Sequence, residues 1–361
     1  MAPMPDSPEA VLAGLEARSR RRETPCGDGT MAWREWGPSG SGGAERRPLV
    51  LFHGGSGSWR HWVRNVERLS AERRLICPDL PGLGDSAMPP RTESPAPIAA
   101  VVREGLAAVL GRGAPYDLAG FSFGALIAGH VAAEAGPELR SLTLVGAASL
   151  GLMRQRTDLV TVRDKEGEAR MAAHRHNLAS LMFADPDRID ALALLVQDRN
   201  TAEARFRSRG FAGSALLRDA LAGTKMPVAL IYGERDAIAW PEVEERFAAL
   251  RSVRPDAWTG MVPAPGIGCP TRRRPLSTPC CWTCWSDDAG TEGGARCRGL
   301  RPRLRSGGRF PAPGPDCRPA PSARAGPAQP FGPCAPPRRD APPRRGAGGA
   351  PLRPARRPAA P

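Results

Sequence analysis

Five residues, Gly120-Phe121-Ser122-Phe123-Gly124, constrain this chain more than any others. An apolar run from Tyr116 to Ala119 precedes them, and a good helix former, Ala125 to Ala135, follows. The stretch reads as strand, sharp turn, helix. Glycines two before and two after the serine let strand and helix approach closely. The turn presents the Ser122 hydroxyl at the C-terminal end of its strand, where open α/β sheets bind ligands. A pentapeptide of small residues also suits a plain turn, so the rest of the chain has to decide.

The flanking segments follow one rhythm. Glu9 to Arg18 reads as a leading helix. Arg20–Thr24 and Thr30–Trp36 read as a hairpin around Cys26-Gly27-Asp28-Gly29. Pro48–Phe52 is a short buried strand ending in His53-Gly54-Gly55-Ser56-Gly57. A helix over Trp59–Ser70, a strand over Arg74–Cys77 and a turn-rich loop, Asp79–Ser86, follow. The helix over Pro97–Leu110 places Ile98, Val101, Val102, Leu106 and Val109 on one face. After the central turn come a strand at Leu139–Val145, a helical stretch over 150–221, and a buried strand at Pro227–Tyr232 leading to Gly233-Glu234-Arg235-Asp236. A helix at Pro241–Leu250 and a strand near Ala257–Val262 close the pattern. Alternation at this spacing predicts an α/β fold: a mostly parallel, twisted sheet with helices on both faces. The segments are a leader over 1–19, a core over 20–149 and 223–263, and a helical cap over 150–222.

Composition changes abruptly near Pro263. Residues 264–361 hold 18 arginines, no lysine and five acidic residues, a net of +13 out of +14 for the whole chain. They also hold 21 of the 40 prolines and seven of the nine cysteines. Such a tail cannot offset its ordering entropy by burial and is expected to be disordered. The first 263 residues have a net charge of +1, that of an ordinary globular domain. Arg18 to Arg22 are not followed by an apolar segment of signal-peptide type, and no apolar run is long enough to span a membrane. Only Cys26 and Cys77 precede the tail, which suits a reducing cytoplasm.

The residues resemble the α/β-hydrolase family over about 20–263. His53-Gly54-Gly55, the serine turn and Gly233-Glu234-Arg235-Asp236 occur in the family's order, each after a strand. The chain looks similar to the single-domain bacterial members that include esterases and hydrolases of ring-fission products. The resemblance implies Ser122 as nucleophile and Asp236 as the acid that orients an imidazole base. It implies an oxyanion hole made by the backbone N–H groups of Gly55 and Phe123. The implied activity is hydrolysis of a small ester or related carbonyl compound through a covalent acyl-enzyme, without metal or cofactor. Cleavage of a C–C bond is the alternative chemistry, and a non-catalytic binding protein is the alternative class. The partner is then a small molecule rather than nucleic acid or membrane. An Asp236 that merely caps a turn is the bland reading of that residue. His53 fits a structural hydrogen bond better than a base, and His61 and His130 fit packing or surface positions. Trp59 and Trp62 read as pocket mouth or core. In the cap, His174, His176, Asn177 and the series Arg205, Arg207 and Arg209 read as a solvated face or as carboxylate binders.

The family's base follows its last strand, yet no histidine occurs after His176. The segment after Pro263 reads as translation in the wrong frame. Back-translating Cys280-Cys281-Trp282-Thr283-Cys284-Trp285 and starting from each codon's third base forces Leu, Leu, Asp, then Leu, Met or Val, then Leu. That is the end of an amphipathic helix. The same frame permits Gly-His-Trp across Gly266-Ile267-Gly268, placing a histidine where Ile267 stands, and a stop codon at Asp287-Asp288. Without that base, the chain as written is expected to be nearly inactive. If the tail is genuine, its arginines suit phosphate binding, although it lacks lysine and aromatic interleaving. Its Cys269, Cys280, Cys281 and Cys284 lack the paired spacing of a zinc site.

Overall fold

A computed structural model describes residues 7–38, 47–153, 157–237, 239 and 241–262. The expectations of a disordered tail and of a frame change fall on 264–361, outside the described residues. The first helix, α1 (Pro8–Ala17), is capped by Ser7, whose Oγ accepts the Ala10 N–H at 3.1 Å. β1 (Arg20–Cys26) and β2 (Gly29–Trp36) form the expected hairpin, turning through Gly27 at φ 54. Next come β3 (Leu49–Phe52), α2 (Val66–Glu72), β4 (Leu75–Pro78), α3 (Pro95–Leu110), β5 (Tyr116–Phe121) and α4 (Phe123–Ala133). β6 (Leu139–Val145), α5 (Gly167–Leu181), α6 (Ala191–Glu203) and α7 (Leu216–Leu221) lead to β7 (Val228–Gly233), α8 (Val243–Arg251) and β8 (Trp258–Val262).

The eight strands make one sheet in the order β1-β2-β4-β3-β5-β6-β7-β8. β2 runs antiparallel to both neighbours, and every pairing from β4 to β8 is parallel. Alternation along the strands splits the core in two. Val50 and Phe52 of β3, with Ile76 of β4, belong to a cluster closed by α3, α4, α7 and α8. Leu51, with Leu75 and Cys77, belongs to the other, closed by α1, the turn at 59–62, α5 and α6. Each buried leucine or isoleucine here contributes about 1.5–3 kcal/mol. The predicted face of α3 is buried at Ile98, Val102, Leu106 and Val109, with Val101 half-buried at its edge.

The helix expected over Trp59–Ser70 is in fact two pieces, a 3₁₀ turn at Trp59–Trp62 and then α2. One contact at its start is non-local. The Trp59 N–H is held at 2.7 Å by Asp79 Oδ1 from the loop after β4. The stretch after Ala148 is helical as expected, with no strand among its described residues. α5 packs on α6, and α6 touches α1 and the 59–62 turn. α7 instead packs on α4, adding Leu217 and Leu221 to the core beneath the sheet.

Candidate active site

The turn between β5 and α4 is built as its glycines require. A Cβ on Gly124 would lie 2.5 Å from the Phe52 carbonyl oxygen, and one on Gly120 would lie 2.7 Å from the Ala125 nitrogen. Only glycine lets β3, β5 and α4 meet this closely. Ser122 between them is forced to φ 53 and ψ −112, a region L-residues avoid. Its backbone is pinned there: its N–H donates to Val145 O at 2.9 Å and its carbonyl accepts Ala125 N–H at 3.0 Å. The side chain is half-buried, and among the described residues no hydrogen bond engages its hydroxyl. Phe123 opens α4, so its N–H has no carbonyl one turn back within the helix.

The loop after β3 lies against this turn. A Cβ on Gly54 would be 3.5 Å from Ser122 Cβ, and one on Gly55 would be 3.7 Å from Phe123 Cβ. The fold thus brings Gly55, Ser122 and Phe123 together. His53 fixes the loop from within. It is fully buried, its Nδ1 faces Gly54 O at 2.8 Å, and its Nε2 accepts the Leu80 N–H at 2.8 Å. Those partners make Nδ1 the protonated nitrogen. Burial pushes its pKa down to about 4. His61 accepts the Gly54 N–H on Nδ1 at 3.2 Å, and burial pushes it down to about 3. His53 thus has the structural hydrogen bonds expected of it, and His61, expected as a packing or surface residue, is buried and holds the same loop. His130 is half-buried on α4, and burial lowers its pKa too. Among the described residues, which include all five histidines of the chain, none is hydrogen-bonded to the Ser122 hydroxyl.

Asp236 follows β7 and is buried, with 3% exposure. Its N–H donates to Gly233 O, and its Oδ1 accepts the Ala239 N–H at 3.1 Å. A turn-capping contact is thus one part of its role. Asp236 and Ser122 leave the same edge of the sheet from strands two apart, β7 and β5. At ordinary strand spacing β5 and β7 are about 10 Å apart. β8 ends at that edge as well, with Val262 O accepting the Glu234 N–H at 2.8 Å.

Over the turn runs the cap segment 204–211. The backbone N–H groups of Arg205 and Phe206 both donate to Gly82 O at 3.0 Å. The Arg205 guanidinium donates to Gly84 O at 2.9 Å and to Ser86 O at 2.5 Å. Neither use of Arg205 was legible in the sequence, because carbonyl acceptors carry no sequence signal. Arg207 is exposed. The Phe206 ring lies 5.5 Å from that of Phe123 and 6.3 Å from that of Phe211. Trp59 and Trp62 are both buried among Trp36, Phe183 and Ile189, so core is the correct reading of the pair. His174 is buried, with Nε2 3.0 Å from Asp198 Oδ1, and desolvation lowers its pKa. His176 contacts Asp158 O at 2.9 Å, and the Asn177 amide exchanges two hydrogen bonds with the Val160 backbone. Cys26 and Cys77 are free and buried. No group of metal-ligating side chains and no helix long and apolar enough to cross a membrane occurs among the described residues.

A fold of this strand order with a serine turn after the fifth strand defines a class, and comparison agrees. The family model for the alpha/beta hydrolase fold matches residues 47–258. The chain belongs to the alpha/beta hydrolase fold family. A carboxylesterase of Bacillus subtilis is similar in structure, with a TM-score of 0.54 at 17% identity, covering 72% of this chain and 88% of that one. An esterase of Rhodococcus sp. ECU1013 is similar with a TM-score of 0.52 at 21% identity, covering 67% and 90%. In sequence, the chain is 37% identical over 123 residues to the dihydrolipoyllysine-residue acetyltransferase component of the acetoin cleaving system of Pseudomonas putida. That match spans 34% of this chain and only 31% of the relative.

Proposed function

We propose that this chain descends from a serine hydrolase that cleaves a small ester or related carbonyl compound through a covalent acyl-enzyme. One observation carries the reading: Ser122 is held at φ 53 with the Gly54-Gly55 loop packed against it. A strained, unbonded hydroxyl beside two candidate backbone donors suits attack on a carbonyl and capture of the resulting oxyanion. In this reading Ser122 attacks, and the N–H groups of Gly55 and Phe123 receive the developing charge. In the ancestral frame Asp236 orients an imidazole carried by the chain beyond β8. Esterase activity among the structural relatives supports the same class of reaction.

The base is the missing part. Position 267 follows Val262 by five residues in the chain, and isoleucine stands there. Val262 itself ends β8 at the sheet edge shared with Ser122 and Asp236. We attribute the missing histidine to a lost base near codon 264, so that the chain as written keeps the nucleophile without the group that activates it. Removal of a triad member costs on the order of 10⁴–10⁶ in rate. Hydrolysis of a short p-nitrophenyl ester tests both parts. The frame-restored chain should exceed the present chain by orders of magnitude, and Ser122→Ala should abolish the gain. A restored chain no faster than its own Ser122→Ala variant rejects the hydrolase. A second reading, a binding protein that keeps the fold, draws on the lack of any histidine bonded to Ser122. It predicts ligand binding without turnover in both frames.

A further inference from the structure

We infer that Ser208, carried by the cap, is a third hydrogen-bond donor to the substrate oxygen that the Gly55 and Phe123 N–H groups receive. The inference rests on the serine-hydrolase reading and extends it to a residue 153 positions from Gly55 in the chain. Three observations carry it. First, Ser208 Oγ lies so close over Gly55 that a Cβ there would collide with it. Second, the same point is 3.6 Å from Ser208 Cβ and 3.7 Å from Phe123 Cβ, so Ser208 and Phe123, the residue after Ser122, meet over Gly55, and a Cβ on the adjoining Gly54 would be 3.5 Å from Ser122 Cβ. Third, Ser208 is half-buried, and among the described residues no hydrogen bond engages its hydroxyl.

The third point stands out against the neighbours. Upstream, the amides of Arg205 and Phe206 are both bonded to Gly82 O. Downstream, Phe211 O accepts the hydroxyls of Ser149 at 2.7 Å and Ser214 at 2.6 Å. The segment is tied at both ends, and between the ties it holds one unengaged hydroxyl over the oxyanion loop. A hydroxyl can donate to an oxyanion and can rotate to accept while the site is empty. Glycine at position 55 is then required for a second reason, to leave room for the cap serine.

Phenylboronic acid tests this in the full chain without needing the base. Boron accepts the Ser122 Oγ lone pair and the hydroxyl proton passes to solvent, leaving an anionic tetrahedral boronate with one oxygen at the oxyanion position. ¹¹B NMR reports the tetrahedral boron, and titration gives its affinity. The expected series is adduct in the parent chain, none in Ser122→Ala, about tenfold weaker adduct in Ser208→Ala, and recovery in Ser208→Thr. Thermal melting of each variant establishes that it is folded. A folded Ser208→Ala that binds like the parent, while Ser122→Ala does not bind, overturns the role of Ser208 and leaves the nucleophile standing. Absence of tetrahedral boron in both the parent and Ser122→Ala overturns both.

Discussion

Ser122 is a residue whose backbone and side chain serve opposite ends. Its φ of 53 and ψ of −112 cost about 1–3 kcal/mol, held in place by the surrounding turn. Glycine would adopt the same conformation freely, at a loss of only about 0.5–1 kcal/mol through the unfolded chain. Strain relief outweighs that loss. Ser122→Gly should therefore be more stable than Ser122→Ala by about 1 kcal/mol, although both lack the hydroxyl. Urea denaturation of the pair decides the point, and equal stabilities would show that the turn is unstrained. Gly124→Ala should go the other way, losing about 3 kcal/mol or failing to fold, since its Cβ would meet the Phe52 carbonyl at 2.5 Å. These two positions were legible in the sequence because a glycine-serine-glycine pattern states a local geometric need. Ser208 was not, because nothing local distinguishes it from any other cap serine; only the fold brings it to Gly55.

Among the elements, the cap strap is the feature that sequence periodicity could not supply. The strands and helices of the core follow from alternation and apolar faces, and β6 falls on the predicted residues, 139–145. The strap at 204–211 is held by carbonyl oxygens of Gly82, Gly84 and Ser86, which are invisible in a sequence. The same limit applies at the start of the 59–62 turn, where a carboxylate from another loop takes the Trp59 N–H. Arg205→Ala removes two guanidinium hydrogen bonds while sparing the amide contacts to Gly82. The Arg205 and Phe206 amides should then exchange with deuterium about tenfold faster, with core strands unchanged. Unchanged exchange at both amides would mean that the guanidinium does not hold the strap.

For the whole molecule, buried titratable groups set the response to acid. His53 and His61 have pKa values pushed down by burial to about 4 and about 3, from an ordinary value of 6.5. Their contribution is complete above pH 6.5 and is lost as pH falls, because the unfolded chain binds the proton first. Asp79 has the opposite sign. Burial raises it from 3.8 to about 6, so its contribution is present below 3.8 and lost as pH rises toward 6. Near pH 5 His53 and His61 outweigh Asp79, a net uptake of about one proton on unfolding, and His130 and His174, also lowered by burial, act in the same direction. Stability should fall by about 1 kcal/mol per pH unit between about pH 6 and 4.5. Urea midpoints measured at about pH 7, 6 and 5 test this, and a stability that holds or rises on acidification contradicts it. The strand order carries one more consequence. From β5 onward each new strand lies beside the one made just before it, β6 on β5, β7 on β6 and β8 on β7. A chain leaving the ribosome can therefore lay down its sheet outward without reopening it. The serine turn has strands on both sides as soon as β6 has emerged, whereas Asp236 must wait for the whole cap to be synthesised. Within the candidate site the Gly54-Gly55 loop is made first, the Ser122 turn is enclosed next, and Asp236 arrives last in the life of each molecule.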